Sequence, residues 1–480
     1  MARVGDVLRV GPRSAWLIGL VGLVCVTGLV ALVTRRGMLP TGLALAIVAV
    51  LALASLRWPL VTLAAFVALI PIEEVVVITG FGTISRFAGI LFAVTYAAPR
   101  IGRLVFGAMP PAAWAFLAWA GLSLGWAVDP NTAWAELPTL FQLFLIAVLV
   151  ADIVVQRPAT VRPLLWAYSL SAAGTAMIGI WSFVALGSSP GARAAALQDQ
   201  NPAQFAGVLL PALIFGIYEV LGREGAPGRG RLLGGVVALL TTVGVVVSGT
   251  RGAWVSVVVV VLLFILPRLE LRRLILAIAT LLLIGIVTIQ LPGVSDMLAQ
   301  RVGTAVSTGG AGRSDIWTVA LTIYKSAPVL GVGYANFSVA YTQDAVRASD
   351  VMSWVHLEGY GPHSLAFGTL IELGPIGLVL LALFLAPLIL RRGWGPDAMV
   401  VQAALASLLI LALFLDVFAN RKQVWFVIGL SAGLAYLARR KDGTAPAEID
   451  SAITDADAGA TWDRSTPVRP DVAGAQGLLE

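Results

Sequence analysis

Arg251 stands in the stretch SGTRGAW, residues 248–254, between the apolar runs LLGGVVALLTTVGVVV and VSVVVVVLLFILP. A guanidinium flanked by small residues offers a planar fork of donors that fits a phosphate in bidentate fashion, which an ammonium does not. The competing reading has Arg251 reaching lipid headgroups and anchoring a hairpin. Arg313 and Lys325 follow in a long, more polar segment, and Arg421 and Lys422 in the short stretch NRKQ. For Arg421 and Lys422 headgroup contact is the favoured explanation.

His363 follows Pro362 and opens the apolar stretch SLAFGTLIELGPIGLVLL. Imidazole titrates near neutrality, so a neutral ring there can take a proton from a hydroxyl, and a helix N-terminus favours that neutral form. A histidine simply hydrogen-bonded at an interface is the bland alternative. His356, in SWVHLEGYG, ranks second. Glu372 lies nine residues into the same apolar stretch and reads as a structural carboxylate paired with an arginine. Glu73 and Glu74, in IPIEEVVVI, are placed to meet Arg86, and two carboxylates alone are a weak metal signal.

The elements that must carry these groups are set by composition. Apolar residues make up 59% of the 480 and charged residues only 12%, half the share of an ordinary soluble domain. The apolar residues form repeated blocks near the length that crosses about 30 Å of hydrocarbon, and they do not alternate as barrel strands do. The fold class is therefore all-α, a polytopic transmembrane helical bundle of 12–14 spans, read at 15–33, 38–55, 58–78, 86–99, 111–127, 133–153, 162–186, 204–221, 231–248, 252–268, 272–291, 364–390, 398–418 and 423–438.

The net charge of +6 does not indicate nucleic-acid binding, because most arginines flank apolar blocks. The single cysteine, Cys25, excludes an internal disulfide, and two histidines make a histidine-rich metal site improbable. Basic segments at 99–103, 156–162, 222–231, 267–273, 391–393 and 438–441 assign one face to the cytoplasm, with Arg35 and Arg36 as the exception. The outer face then receives the loop 188–204, the SGTRGA turn, the long segment 292–362 and NRKQ. Within 312–328, Ile316, Ala320 and Ile323 recur at helical spacing, which predicts one amphipathic helix lying on the membrane surface. GVGYANF lacks the context of a dinucleotide loop and reads as a turn. Residues 1–203 form an N-terminal set of transmembrane helices, 204–438 a core that includes the external loop, and 439–480 an acidic tail expected to be disordered.

Three segments in order, SGTRGAW, GRSDIW…SAPVLGVGYANF and PHSLAFGTLIELGPIGLVLL, resemble the signature region of the O-antigen ligase and polymerase superfamily over Val246 to Leu390, and DQNPAQFAGVLLPAL upstream resembles the family's approach to that region. The resemblance implies a multi-pass enzyme of the bacterial inner membrane that works on its periplasmic side. It moves a glycan from an undecaprenyl-diphosphate carrier to an acceptor hydroxyl on a glycan, lipid or protein, without cofactor, metal or nucleotide sugar. It also implies that Arg251 and Arg313 bind the diphosphate and that His363 is the base; Lys325 and Arg421, read from their outward-facing charge, are further candidates for binding it. Two features depart from the family layout: the span count exceeds the usual twelve, and the long loop is read as one helix rather than a folded unit. Ligase, polymerase and protein O-oligosaccharyltransferase remain open. A lipid-linked-glycan flippase would instead line mid-membrane with charge and show helix repeats, and a non-catalytic scaffold is a third class.

Overall fold

The computed structural model describes residues 59–73, 77–78, 82–185, 194–195, 201–222, 228–268, 270, 275, 285–286, 288–291, 293–307, 313–347, 361–391, 393–415 and 420–443. The expected spans at 15–33 and 38–55, most of 272–291, Glu74, His356 and the tail beyond 443 lie outside these residues. Among the described residues the chain forms fourteen α-helices and one short hairpin. They are α1 (Pro59–Leu69), β1 (Val77–Ile78) with β2 (Gly82–Thr83), α2 (Ile84–Ala97), α3 (Pro111–Leu122), α4 (Pro130–Gln156), α5 (Val161–Ala185), α6 (Pro202–Ile217) and α7 (Gly228–Val247). After the Arg251 turn come α8 (Arg251–Val260), α9 (Val294–Ser307), α10 (Arg313–Ser326), α11 (Phe337–Arg347), α12 (Leu365–Leu390), α13 (Ala398–Ala412) and α14 (Lys422–Lys441).

Helices α4, α5, α6, α7 and α12 are long and apolar enough to cross a bilayer, whereas α1, α3, α8 and α13 are apolar but shorter. Two of the elements extend as π-helical turns, α6 through Tyr218–Gly222 and α8 through Val261–Ile265. The span read at 58–78 is corrected: α1 stops at Leu69, Pro71 follows, and the chain turns into the antiparallel hairpin that pairs Val77 with Thr83. A proline cannot supply the N–H that continuing the helix requires.

Close helix packing replaces a water-driven core, and small residues make it possible. Gly429 and Gly433, one turn apart on α14, press on α4: a Cβ on either would stand 2.6 Å from the carbonyl of Ala147 or 2.8 Å from that of Ala151. Trp425, fully buried, meets Phe144 edge-on at 6.1 Å and Phe384 at 6.3 Å, joining α14 to α4 and α12. Tyr168 stacks on Phe426 at 5.8 Å and donates its hydroxyl to the Val208 carbonyl at 2.7 Å, tying α5 to α14 and α6.

One end of the bundle collects the basic segments. There Arg162 pairs with buried Glu219 and reaches Asp397 at 3.4 Å, while Asp152 accepts from the Tyr96 hydroxyl at 2.7 Å and the Val105 amide at 2.8 Å. Arg439 reaches the carbonyls of Gly107 and Ala108 at the same end.

The long segment departs from expectation. It holds three helices, α9, α10 and α11, rather than one. The apolar stripe of α10 is where the periodicity puts it, but Ile316, Val319, Ala320 and Ile323 pack against Val332, Phe337, Ala340, Tyr341 and Ile371. That stripe is covered by protein, not by lipid, because Phe337 and Tyr341, one turn apart on α11, supply a matching face.

This second core is fastened to the bundle at a kink in α12. Gly374 has φ 69 and ψ −176, and Pro375 has no N–H to offer the Ile371 carbonyl. The carbonyls left open are taken by other elements: Ile371 accepts from the Val332 amide at 2.9 Å, Glu372 from the Gly333 amide at 2.8 Å, and Leu373 from the Trp119 indole at 2.9 Å. The strap can approach this closely only without side chains, since a Cβ on Gly331 would lie 2.5 Å from the Glu372 carbonyl carbon. GVGYANF is thus a turn, as expected, and also the clasp of the unit built by α10 and α11.

Candidate functional site

Arg251 is the first residue of α8 and partly exposed. Gly249, at φ 62, ends α7 and allows the reversal within three residues. Ser248 and Thr250 make the turn rigid: the Ser248 hydroxyl donates to the Val245 carbonyl at 2.7 Å and accepts from the Thr250 amide at 3.2 Å. The Thr250 hydroxyl donates to the Pro202 carbonyl at 3.3 Å, and the Trp254 indole to the Val245 carbonyl at 3.2 Å. Small residues on either side let the neighbours close in, with Gly252 set against Leu411 and Phe414. The Arg251 guanidinium belongs to the N-terminal end of α8, where an anion is favoured.

His363 has φ 47, the left-handed region that a non-glycine residue enters only when its surroundings dictate it. The surroundings are visible: Pro362 is buried against Gly368, and Ser364 caps α12 by accepting the Phe367 amide at 3.4 Å. Leu365 then packs on Ala203, Ala412 and Leu415. The start of α12 is therefore joined to the start of α6, and the carbonyl of Pro202 joins α6 to the Thr250–Arg251 turn. Three helix starts carrying Asn201–Pro202, Arg251 and His363 meet at the end of the bundle opposite the Arg162 cluster.

Arg313 is the first residue of α10. Trp317, one turn further on, stacks on Phe367 at 5.2 Å with 6° between the planes, and Phe367 lies one turn beyond His363. The stack brings the first half of α10 to the first turn of α12. Lys325 is exposed in the last turn of α10, about 18 Å along the axis from Arg313 by helical rise, so the fold does not bring it to the same place. Arg421 is the N-cap residue of α14, partly exposed, on the same end of the bundle as the close of α13.

Two expectations are corrected here. Lys422 is buried rather than at the headgroups, and Glu73 meets it rather than Arg86, which is exposed. The Lys422 ammonium pairs with the Glu73 carboxylate and donates to the hydroxyls of Thr83 at 3.1 Å and Ser85 at 2.9 Å. A charge carried into an apolar bundle requires such partners, and the run Val424 to Ile428 that follows, buried throughout, drags Lys422 inward. Glu372 takes a structural place: its Oε1 accepts the Phe337 amide at 3.2 Å, holding the first residue of α11. The Trp317–Phe367 stack and the Lys422 network escaped the sequence reading. The two opposite charges at the outer ends of apolar blocks were the available signal for the network.

The fold is that of a multi-pass membrane protein, and Arg251, Arg313 and His363 each stand where a helix begins. Residues 236–382 match the sequence model of the O-antigen ligase family. The match runs from within α7 to within α12, so it contains Arg251, Arg313 and His363 and helices α9, α10 and α11. No curated protein matches the chain, and no solved structure does.

Proposed function

We propose that this protein is a glycosyltransferase of surface-polysaccharide assembly that moves a glycan from undecaprenyl diphosphate to an acceptor hydroxyl. The family domain supports a ligase- or polymerase-like role. The observation that carries the finer reading is the meeting of the Arg251 turn with the start of α12 through Pro202, Ala203 and Leu365.

In this reading His363 takes the proton of the acceptor hydroxyl, and the oxygen attacks the anomeric carbon from the side opposite the carrier. The bond from that carbon to the diphosphate oxygen breaks, its electron pair stays with the diphosphate, and the configuration inverts. Arg251 and Arg313 stabilise the charge that grows on the leaving group. The donor brings its own high-energy bond, so neither nucleotide nor metal is required by the scheme. The basic residues at the opposite end support a cytoplasmic place for that end and a reaction on the extracytoplasmic face of the inner membrane. Lys325 and Arg421 are outlying contacts to the donor in this scheme, with Lys325 the weaker assignment because α10 carries it away from Arg313.

The test supplies the purified full-length protein with undecaprenyl-diphosphate glycan and, separately, a core lipid, a second glycan and a protein acceptor. Carrier release coupled to one new glycosidic linkage identifies the acceptor class. Transport of the intact carrier without any new linkage refutes the enzymatic reading and favours a flippase.

A further inference from the structure

At the end of the bundle away from Arg251 and His363, a cleft opens between the turn before α3, the end of α12 and the end of α14. Arg391 and Arg439 border this small cleft at its rim, and its accessible lining is apolar, with Pro110, Pro387, Leu388 and Ala435 around it. Arg391 is the residue that closes α12, one of the helices long enough to cross a bilayer, so the cleft lies at the depth where hydrocarbon gives way to headgroups. Leu390 beside it is 80% exposed, and Phe106 and Trp394 are exposed on neighbouring turns. Arg439 is held in place from behind: its Nη2 reaches the carbonyls of Gly107 and Ala108, each at 3.4 Å, and its guanidinium lies 5.7 Å from the Tyr436 ring centre.

The guanidiniums of Arg391 and Arg439 at its rim stand close enough to repel each other, and a shared anion there converts that repulsion into two attractions. Planar forks suit the oxygens of a phosphate. The apolar wall and the exposed Leu390 then select among phosphates, since a free ion gains nothing from them whereas acyl chains do. We propose that this cleft binds an anionic phospholipid by its headgroup phosphate, with the acyl chains along Leu388 and Leu390. The assignment is independent of the transfer reaction at the other end.

The experiment uses delipidated full-length protein in a neutral detergent. Its thermal midpoint and its retained adducts in native mass spectrometry are followed against dioleoyl phosphatidylglycerol, dioleoyl phosphatidylcholine and inorganic phosphate. Phosphatidylglycerol is expected to raise the midpoint and to persist as an adduct, while the other two do not. Arg391→Gln with Arg439→Gln is expected to weaken the phosphatidylglycerol response by about tenfold or more in half-saturating concentration, and Arg229→Gln, an exposed arginine of α7, leaves it unchanged. Should the double variant fail to fold, Arg391→Lys with Arg439→Lys keeps the charge and loses the fork, and an intermediate weakening is expected. An equal response to phosphatidylcholine, an equal response to inorganic phosphate, or a wild-type response in a folded double variant each overturns the proposal.

Discussion

Replacing Gly374 by alanine is the sharpest single perturbation of the unit that carries Arg313. Gly374 sits at φ 69 and ψ −176, a region occupied essentially by glycine alone, and entry by another residue costs about 1–3 kcal/mol. A Cβ there would also stand 2.1 Å from the Val329 carbonyl oxygen and 2.8 Å from its carbon. Backbone atoms cannot swing aside as a side chain would, so overpacking adds about 1–3 kcal/mol. Relief requires the strap to lift, which breaks the bonds from Val332 to Ile371 and from Gly333 to Glu372. The contacts of α4 with α14 are remote and unaffected, so the loss is local. About 4 kcal/mol corresponds to nearly three decades in the opening equilibrium of the α10–α11 unit.

The assay is trypsin cleavage after Lys325, exposed at the end of α10, on full-length Gly374→Ala in detergent. Cleavage is expected to accelerate by a factor of about 100 or more, with helicity of the bundle retained. Gly174→Ala on α5, where a Cβ would meet nothing within 4 Å, is the control and cleaves at the wild-type rate. Wild-type cleavage in Gly374→Ala would refute the clasp between the GVG strap and the α12 kink.

Three further outcomes follow from the packing. Lys422→Met leaves the Glu73 carboxylate without its ammonium and is expected to destabilise the protein by about 3 kcal/mol in chemical denaturation; adding Glu73→Gln recovers part of it, and strict additivity would contradict the pairing. Gly433→Leu drives a side chain into Val154 and the Ala151 carbonyl, closer than 3 Å, and is expected to separate α14 from α4 and abolish monodisperse expression. Asp129 caps α4, and the hydroxyl of Thr132 donating to it at 2.6 Å holds its carboxyl below the ordinary aspartate range. Because the folded value is the lower one, the cap contributes fully above the unfolded value near about pH 4 and is lost as pH falls through the folded value. Asp129→Asn is expected to flatten only that acid limb of stability against pH, and an unchanged limb would contradict the cap.

The reading from sequence succeeded where one element decides the outcome. Hydropathy located α3 to α8 and α12 to α14 within a few residues, because span length and apolar content are properties of single segments. The SGTRGA reversal was legible from its small residues, and the Ile316, Ala320 and Ile323 stripe from its period. Long-range pairing was not legible. The stripe's partner lies on α11, which polar and apolar residues mix too evenly to announce, and Lys422 finds Glu73 across 349 positions. The break in α12 had a local signal, Gly374 next to Pro375, but its consequence depends on a strap 40 residues earlier whose glycines fit it. For the same reason the three residues read as chemical, Arg251, Arg313 and His363, were visible singly, whereas the Pro202 and Trp317 contacts that draw their helices together were not.

The central claim is tested most directly by donor turnover in His363→Asn. Asparagine tolerates the left-handed backbone found at position 363, so the start of α12 is preserved while the base is removed. With undecaprenyl-diphosphate glycan and its acceptor, the wild-type protein is expected to form a new glycosidic bond and release the carrier. The variant is expected to bind donor as before and turn it over at least about 100-fold more slowly. Wild-type turnover by folded His363→Asn would contradict the account.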